Sequence, residues 1–201
     1  DTTTWAYIGD DATAYSDGSG GGGARAEALG NVVVRASDET DSTMIAGSLG
    51  IGLGAVGVGG AASVLSVTKD TQAFLGDYAT VDGKGNGGTI AGIYDGSTET
   101  DGSQAFTAFG TETDGGSDAR TGESESLFRG VAVQAASRED FFLVGASAGG
   151  GFYAGLAGGV TVETVDSDTL AFVGEHSRIN YRNPDGVVEN AGQSVNISAV
   201  N

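Results

Sequence analysis

Residues 72–77 read Gln-Ala-Phe-Leu-Gly-Asp, and closely similar hexapeptides occur at residues 5–10 and 170–175. Each copy consists of a variable residue, alanine, an aromatic, an aliphatic, glycine and an acid. A short apolar run that ends in glycine is typical of a β-strand followed by a turn. Glycine suits the corner because it adopts positive φ at little cost. The recurrence of this segment predicts a repetitive β-protein.

Two further segments recur between these copies. Residues 32–36, 131–135 and 195–199 each alternate β-branched residues with others and end in alanine, which is a half-buried strand pattern. Residues 44–67 and 142–165 align without a gap at an offset of 98, with four glycines in common positions. The agreement of glycine, apolar and motif positions together indicates a duplication.

The repeats divide a single β domain, residues 1–201, into consecutive units. The expected units are 1–36, 37–68, 69–135, 136–166 and 167–201. The third unit is nearly double in length because of an insertion at residues 82–128, which is acidic and rich in Gly, Ser, Thr and Asp. Such a composition is typical of a lateral loop or an extra hairpin.

Stacked units can bury an apolar face that a single unit cannot, because like positions align into ladders. We therefore expect a right-handed parallel β-helix, a β-solenoid of about five coils with one lateral insertion. The alternative is a glycine-rich β-sandwich. In the stack, Tyr7, Phe74 and Phe172 should form an aromatic ladder that points into the core, beside ladders of alanine and of aliphatic residues. Helix should be nearly absent, since no segment sustains a 3.6-residue period with caps.

Composition narrows the classes of function. The sequence has 37 glycines, one proline and no cysteine, and its net charge is −18. A collagen pattern needs abundant proline, and disulfide scaffolds and zinc–thiolate sites need cysteine. The acidic charge repels phosphate backbones and anionic lipid, so we expect neither nucleic acid nor an acidic membrane as a partner.

One segment has the length of a membrane helix. Residues 44–68 carry no charge, and the motif Gly50-x-x-x-Gly54 within them is known from helix dimers in membranes. However, Gly50 to Gly54 alternates with period two, and Glu163 interrupts the corresponding later run. An amphipathic strand tolerates such a charge on its outer face, so we expect strands and no membrane insertion.

Candidate catalytic and cofactor residues are few. His176 is the only histidine, which excludes a histidine-based triad or metal cluster, and we expect it in a turn beside Glu175. Acid clusters that a glycosidase would need fall in polar turns, where carboxylates stay solvated. These clusters are Asp10/Asp11, Asp38/Glu39/Asp41 and Glu139/Asp140. We therefore predict no enzyme, no catalytic residue and no bound cofactor.

Calcium is the one ion for which the sequence offers candidate ligands. Clustered acids supply the oxygens that Ca²⁺ prefers, although the loop spacing of known calcium motifs is absent. The two candidate groups are Asp10, Asp11 and Asp17, and Asp95, Glu99 and Asp101. We interpret both groups as ordinary acidic loops.

The repeats resemble those of very large bacterial exoproteins. The hexapeptide at residues 5–10 and its copies, the Gly/Ala/Val-rich segment 44–67 and the Val-x-Val-x-Ala pattern are similar to repeats of filamentous-haemagglutinin-like adhesins and of autotransporter passenger regions. The resemblance implies export to the bacterial cell surface and a stalk or adhesive role. The expected partners are a host or neighbouring-cell surface, a glycan or matrix, or further copies of the chain.

Two other functions remain open. A self-assembling extracellular filament subunit would use the open strand edges of a glycine-rich sheet. A carbohydrate-active β-helix enzyme would need a cleft with a buried carboxylate pair.

Overall fold

A computed structural model describes residues 1–9, 23–52, 56–90, 93–99, 120–124, 128–181 and 186–201. Within these ranges the secondary structure is β-strand, with no helix. The strands are β1 (Thr2–Ile8), β2 (Arg25–Ala28), β3 (Val32–Gly52), β4 (Val56–Leu75), β5 (Thr80–Gly83), β6 (Ile93–Glu99), β7 (Arg120–Ser124), β8 (Gly130–Gly151), β9 (Ala154–Val173), β10 (Arg178–Ile179) and β11 (Ser194–Val200). The predicted all-β class is thus confirmed.

Three sheets of three strands each organise the chain. Their strand orders are β1-β4-β9, β10-β5-β2 and β11-β8-β3. The chain therefore passes through the three sheets three times. The first pass consists of β1, β2 and β3, the second of β4, β5 and β8, and the third of β9, β10 and β11. The pairs β2/β5, β5/β10 and β8/β11 are parallel. This connectivity is compatible with a parallel β-helix. Each of the three sheets has three strands, which corresponds to three coils, whereas the sequence repeats predicted about five.

The register of the repeats differs between the two long strand pairs. Side-chain contacts join β3 to β8 at a separation of 99 residues, as from Arg35 to Gln134 and from Asn31 to Gly130. After β4 and β9 end, residues that contact each other are 98 positions apart in the sequence, as are Asp77 and Glu175. The separation of 99 is the one that the sequence repeat of residues 32–36 at residues 131–135 has. The interval between β8 and β9, residues 152–153, is one residue shorter than the interval 53–55 between β3 and β4.

The chain forms two compact units. The first, called unit 1 below, comprises Asp1 and residues 39–69 and 138–167. The second, unit 2, comprises residues 2–38, 70–137 and 168–201. Two of the expected repeat units, 37–68 and 136–166, nearly coincide with the two long segments of unit 1. Their described residues belong to the long strands β3, β4, β8 and β9 and form no separate strands.

Unit 2 has an apolar core of small and aliphatic side chains. Ala73 and Leu75 of β4 belong to this core and are fully buried, with Val81 of β5 and Val131 and Val133 of β8. Their counterparts Ala6, Ile8, Ala171 and Val173 pack against the same core. The predicted alanine and aliphatic ladders are therefore interior.

The aromatic residues face the other way. Phe74 lies between Ala73 and Leu75 in the sequence, is fully buried, and is not part of the interior cluster. Because successive side chains of a strand point to opposite faces, Phe74 lies on the face of β4 opposite to Ala73 and Leu75. The expected aromatic ladder is present and Phe74 is fully buried between two rings, but the ladder lies on the face of the strand opposite to the cluster of Ala73 and Leu75.

Unit 1 is assembled around small side chains. On β3 and β4 the less exposed positions alternate with the exposed ones, and include Gly50, Gly57 and Gly59. A methyl group added to Gly50 would overlap the carbonyl of Val58, and one added to Gly57 would overlap that of Gly150. The backbones of unit 1 thus approach so closely that only glycine fits at these positions.

An additional antiparallel pair lies between β5 and β8 in the sequence. β6 pairs with β7 from Ile93 opposite Ser124 to Glu99 opposite Arg120, and a bridge joins Ile90 to Phe128. The structure places residues 82–83 in β5, paired with residues 27–28 of β2. The regular sheet therefore continues past residue 82, the sequence-based start of the insertion.

Candidate functional site

The aromatic residues of the hexapeptide form a continuous stack in unit 2. The ring centroids of Tyr7 and Phe74 lie 5.0 Å apart at an interplanar angle of 7°. Those of Phe74 and Phe172 lie 4.8 Å apart at 4°. These distances match the spacing of hydrogen-bonded strands, about 4.7–4.9 Å. The three copies of the repeat are therefore neighbours, aligned residue on residue.

The glycine and acid of the repeat build its corner. The amide of Gly76 donates to the Ile8 carbonyl at 2.8 Å, and the amide of Gly174 donates to the Leu75 carbonyl at 2.7 Å. The Asp77 carboxylate then accepts a hydrogen bond from the Glu175 amide at 2.7 Å. The sequence pattern contained this acid, and the structure shows that it connects one corner to the next.

His176 lies in the turn after Gly174, beside Glu175, as the sequence predicted. Its ring stacks on that of Tyr78, with 4.9 Å between centroids. Both residues adopt positive φ, 58° for His176 and 57° for Tyr78. Sequence reasoning identified the histidine but missed its aromatic partner, because Tyr78 lies outside the hexapeptide.

The carboxylates weighed as catalytic pairs make structural contacts. The Glu139 carboxylate forms an ion pair with the fully buried Lys69, with 2.9 Å between Oε1 and Nζ. Glu39 pairs with Arg138 at 2.8 Å, and Asp38 accepts a hydrogen bond from the Thr4 hydroxyl at 3.2 Å. The contact of Glu39 joins the neighbouring strands β3 and β8, whereas the contacts of Glu139 and Asp38 each join strands of two different sheets.

The candidate calcium groups fall largely beyond the described chain. Asp10, Asp11, Asp17 and Asp101 lie outside the described residues, and Asp95 and Glu99 are described only as backbone positions of β6. Within the described ranges no group of three or more His, Cys, Asp or Glu side chains is placed to hold a metal ion.

One carboxylate in unit 2 has an unusual environment. Asp82 of β5 is about 1% exposed. Burial raises the pKa of Asp82, and the charge of Glu27, its register neighbour on β2, raises it further. An acid in this setting holds its proton more tightly than in water.

Unit 1 presents large apolar side chains to solvent. On β3 and β4 the small residues lie at the close contacts and the alternate positions carry large side chains outward, and β8 and β9 add further exposed apolar side chains. The exposed fractions of these side chains are between 46% and 73%. These residues, called the apolar faces below, are Ile45, Leu49, Ile51, Val56, Val58, Val64, Phe142, Leu156, Val160 and Val162. Large contiguous apolar patches on a protein surface are candidates for interaction sites.

The sequence signal for the apolar faces was present, but the alternation does not show which face of a strand is exposed. Period-two alternation of small and large residues indicated strands correctly. Large apolar residues are ordinarily interior, whereas here glycine, alanine and serine occupy the close-packed positions of unit 1.

The comparisons with known proteins leave the family open. No family model, no curated protein and no solved structure matches this chain. Among the described residues no helix is long and apolar enough to cross a membrane, and the uncharged segment 44–68 contributes to strands β3 and β4.

Proposed function

We propose that this chain is a structural and adhesive segment of a secreted bacterial surface protein, built as a β-solenoid that forms part of a stalk. The observation that carries the proposal is the stack of Tyr7, Phe74 and Phe172, which aligns three copies of one repeat on adjacent strands. Right-handed winding is the expected hand, because crossover connections between parallel strands are almost always right-handed.

Repetition of this kind suits a spacer. Each pass contacts its neighbours along the stack, so further passes extend the structure without a new type of interface. The outermost strands of the three sheets, such as β1 and β9 or β3 and β11, each have one strand neighbour within their sheet. The same hydrogen-bonding pattern therefore allows additional repeats on either side.

The charge supports a role outside the cell. A net charge of −18 keeps a sheet-rich protein soluble and discourages unspecific association between stalks. Adhesion then depends on local surfaces that differ from the acidic average, and the apolar faces of unit 1 are one such surface.

Adhesion and location can be measured separately. Beads coated with the chain should be retained on extracellular matrix and on cultured cells under flow, above beads coated with a globular protein of equal net charge. In cells that produce it, the protein should be cleaved by protease added to intact cells. Retention equal to the control would overturn the adhesive role, and protection from external protease would overturn the surface location.

A second candidate function is a self-assembling filament subunit, and the apolar faces favour it. Leu49 is 69% exposed on a segment that carries no charge from residue 42 to residue 68. Association of two copies through such faces removes apolar area from water. Sedimentation should then increase with protein concentration, and Leu49→Lys should abolish the increase while Thr43→Lys, at an exposed polar position of the same strand, should not.

A further inference from the structure

A cavity on the outside of the sheet β10-β5-β2 brings together basic and aromatic side chains of unit 2. Its volume is about 370 Å³, within the range of about 300–1,000 Å³ that small-molecule sites occupy. The cavity is lined by Gly23, Arg25, Tyr78, Thr80, His176 and Arg178.

The strand register explains why two arginines meet there. Arg25 of β2 and Arg178 of β10 are both register partners of Thr80 on β5. The following residue on β5, Val81, belongs to the core, so Thr80 and its two partners face away from it. The two arginines therefore flank the threonine hydroxyl, with one strand spacing of about 4.8 Å on each side.

The aromatic wall comes from the corners that precede the same strands. The stacked rings of Tyr78 and His176 belong to the second and third passes, and Gly23 takes the equivalent place in the first. A methyl group at Gly23 would overlap the Tyr78 carbonyl, so glycine is required there. The wall thus consists of two rings, and its third position has no side chain.

The charge of this cavity is opposite to that of the protein. The chain has nine Lys and Arg residues against 27 acids, yet two arginines and the single histidine line one cavity. Arg25 forms an ion pair with Glu27, and Arg178 lies over the Tyr181 ring at 4.9 Å. Guanidinium groups bind carboxylates with matched geometry, and their planes also contact sugars and aromatic rings.

We propose that this cavity binds a glycan through one terminal carboxylated sugar. The carboxylate lies between Arg25 and Arg178 and accepts from the Thr80 hydroxyl, while the sugar ring packs on the wall of Tyr78 and His176. This inference rests on the proposed adhesive function and names the ligand class for it.

The acidic surface around the cavity favours a ligand with a single negative charge over a polyanionic ligand. Screening limits electrostatic effects to about 8 Å at physiological salt, so a lone carboxylate in the cavity is influenced by its two arginines and by Glu27, the ion-pair partner of Arg25, and not by the distant acids of the chain. A long sulfated or uronate chain would extend over the acidic surface and be repelled. Terminal carboxylated sugars should therefore bind in preference to polyanionic glycosaminoglycans.

Titration calorimetry of the whole chain with sialyllactose, and with neutral lactose as the matched ligand, tests the proposal. Sialyllactose should bind and lactose should not. Arg178→Gln and Arg25→Gln should each weaken binding at least tenfold, whereas Arg138→Gln, which removes the same charge from unit 1, should leave it unchanged. Glu27→Gln should strengthen binding severalfold, because it releases Arg25 from its ion pair.

The aromatic wall is tested with substitutions that keep the backbone. Asparagine tolerates positive φ better than most residues, so Tyr78→Asn and His176→Asn should fold normally and still lose binding. Equal binding of lactose, tight binding of heparin, or no effect of Arg178→Gln in a variant with wild-type melting temperature would overturn the proposal. Bead adhesion without sialyllactose binding would refute this site alone, whereas sialyllactose binding without bead adhesion would refute the proposed function alone.

Discussion

Truncation of the aromatic stack should reveal the order of the repeats in the folded chain. Phe74 has no exposed surface and contacts a ring on each side, at 5.0 Å to Tyr7 and 4.8 Å to Phe172. Phe74→Ala removes a buried ring and leaves a cavity, which typically costs about 3–5 kcal/mol. Both stacking contacts, each contributing about 0.5–1.5 kcal/mol, are lost with it.

The two outer rings should matter less. Tyr7 is 47% exposed and Phe172 is partly exposed, and each stacks on Phe74 from one side. Tyr7→Ala therefore forfeits about half of the transfer free energy of a fully buried aromatic, roughly 0.8–1.5 kcal/mol. The expected order of destabilisation is Phe74→Ala, then Phe172→Ala, then Tyr7→Ala.

Urea unfolding monitored by Trp5 fluorescence provides the assay. Trp5 is the only tryptophan, lies in unit 2, and donates a hydrogen bond to Asp70 at 3.0 Å. With a slope of about 2 kcal/mol per molar urea, Phe74→Ala should lower the midpoint by roughly 1.5–2.5 M. Phe74→Leu, which keeps an apolar side chain there, should lower it less. Small and equal shifts for all three alanine variants would refute the stacked register.

Three further substitutions test separate contacts. Gly57→Ala should destabilise unit 1 by about 1–3 kcal/mol, because the new methyl group meets backbone, whereas Gly60→Ala, with open space around it, should be tolerated. Asp82→Asn should raise the free energy of unfolding at pH 7 by about 1 kcal/mol. The pKa of Asp82 is higher in the folded than in the unfolded chain, so the wild-type protein loses stability as the pH rises from the unfolded-state pKa through the folded-state pKa. The variant should lose this pH dependence in urea unfolding at pH 3 to 8. Lys69→Met should cost about 3 kcal/mol, because it removes the cation that compensates the mostly buried Glu139 carboxylate. Lys69→Met/Glu139→Gln should recover part of that loss in thermal unfolding.

The strand class and the neighbouring repeats could be predicted because they depend on local pattern. The apolar run before Gly76, with its copies before Gly9 and Gly174, indicated a strand and a corner, and stacking of like residues follows from repetition. These features need no knowledge of distant packing.

The direction of the aromatic ladder could not be predicted in the same way. Ala73, Phe74 and Leu75 are all apolar, and the period of two shows only that Phe74 opposes its neighbours. The interior of unit 2 takes the alanine and aliphatic side chains. Which face becomes interior depends on how closely the sheets approach, and this is not a local property.

The basic cavity was not predictable from spacing along the chain. Arg25 and Arg178 are far apart in sequence and meet only because both are register partners of Thr80. A single residue of slip in register would turn either arginine to the opposite face.

Disulfide trapping tests the stacked register most directly, since the chain has no cysteine of its own. Ser198 and Gln134 are register partners on parallel strands, and the Gln134 amide donates to the Ser198 hydroxyl at 3.0 Å. Neighbouring strands bring Cα atoms within the range of about 4.4–6.8 Å that a disulfide spans. The account predicts that Ser198→Cys/Gln134→Cys oxidises almost completely in the folded chain, as measured by mass spectrometry of free thiols. Ser198→Cys/Ala132→Cys, two residues out of register, should stay reduced, and equal oxidation of the two pairs, or none in the first, would contradict the account.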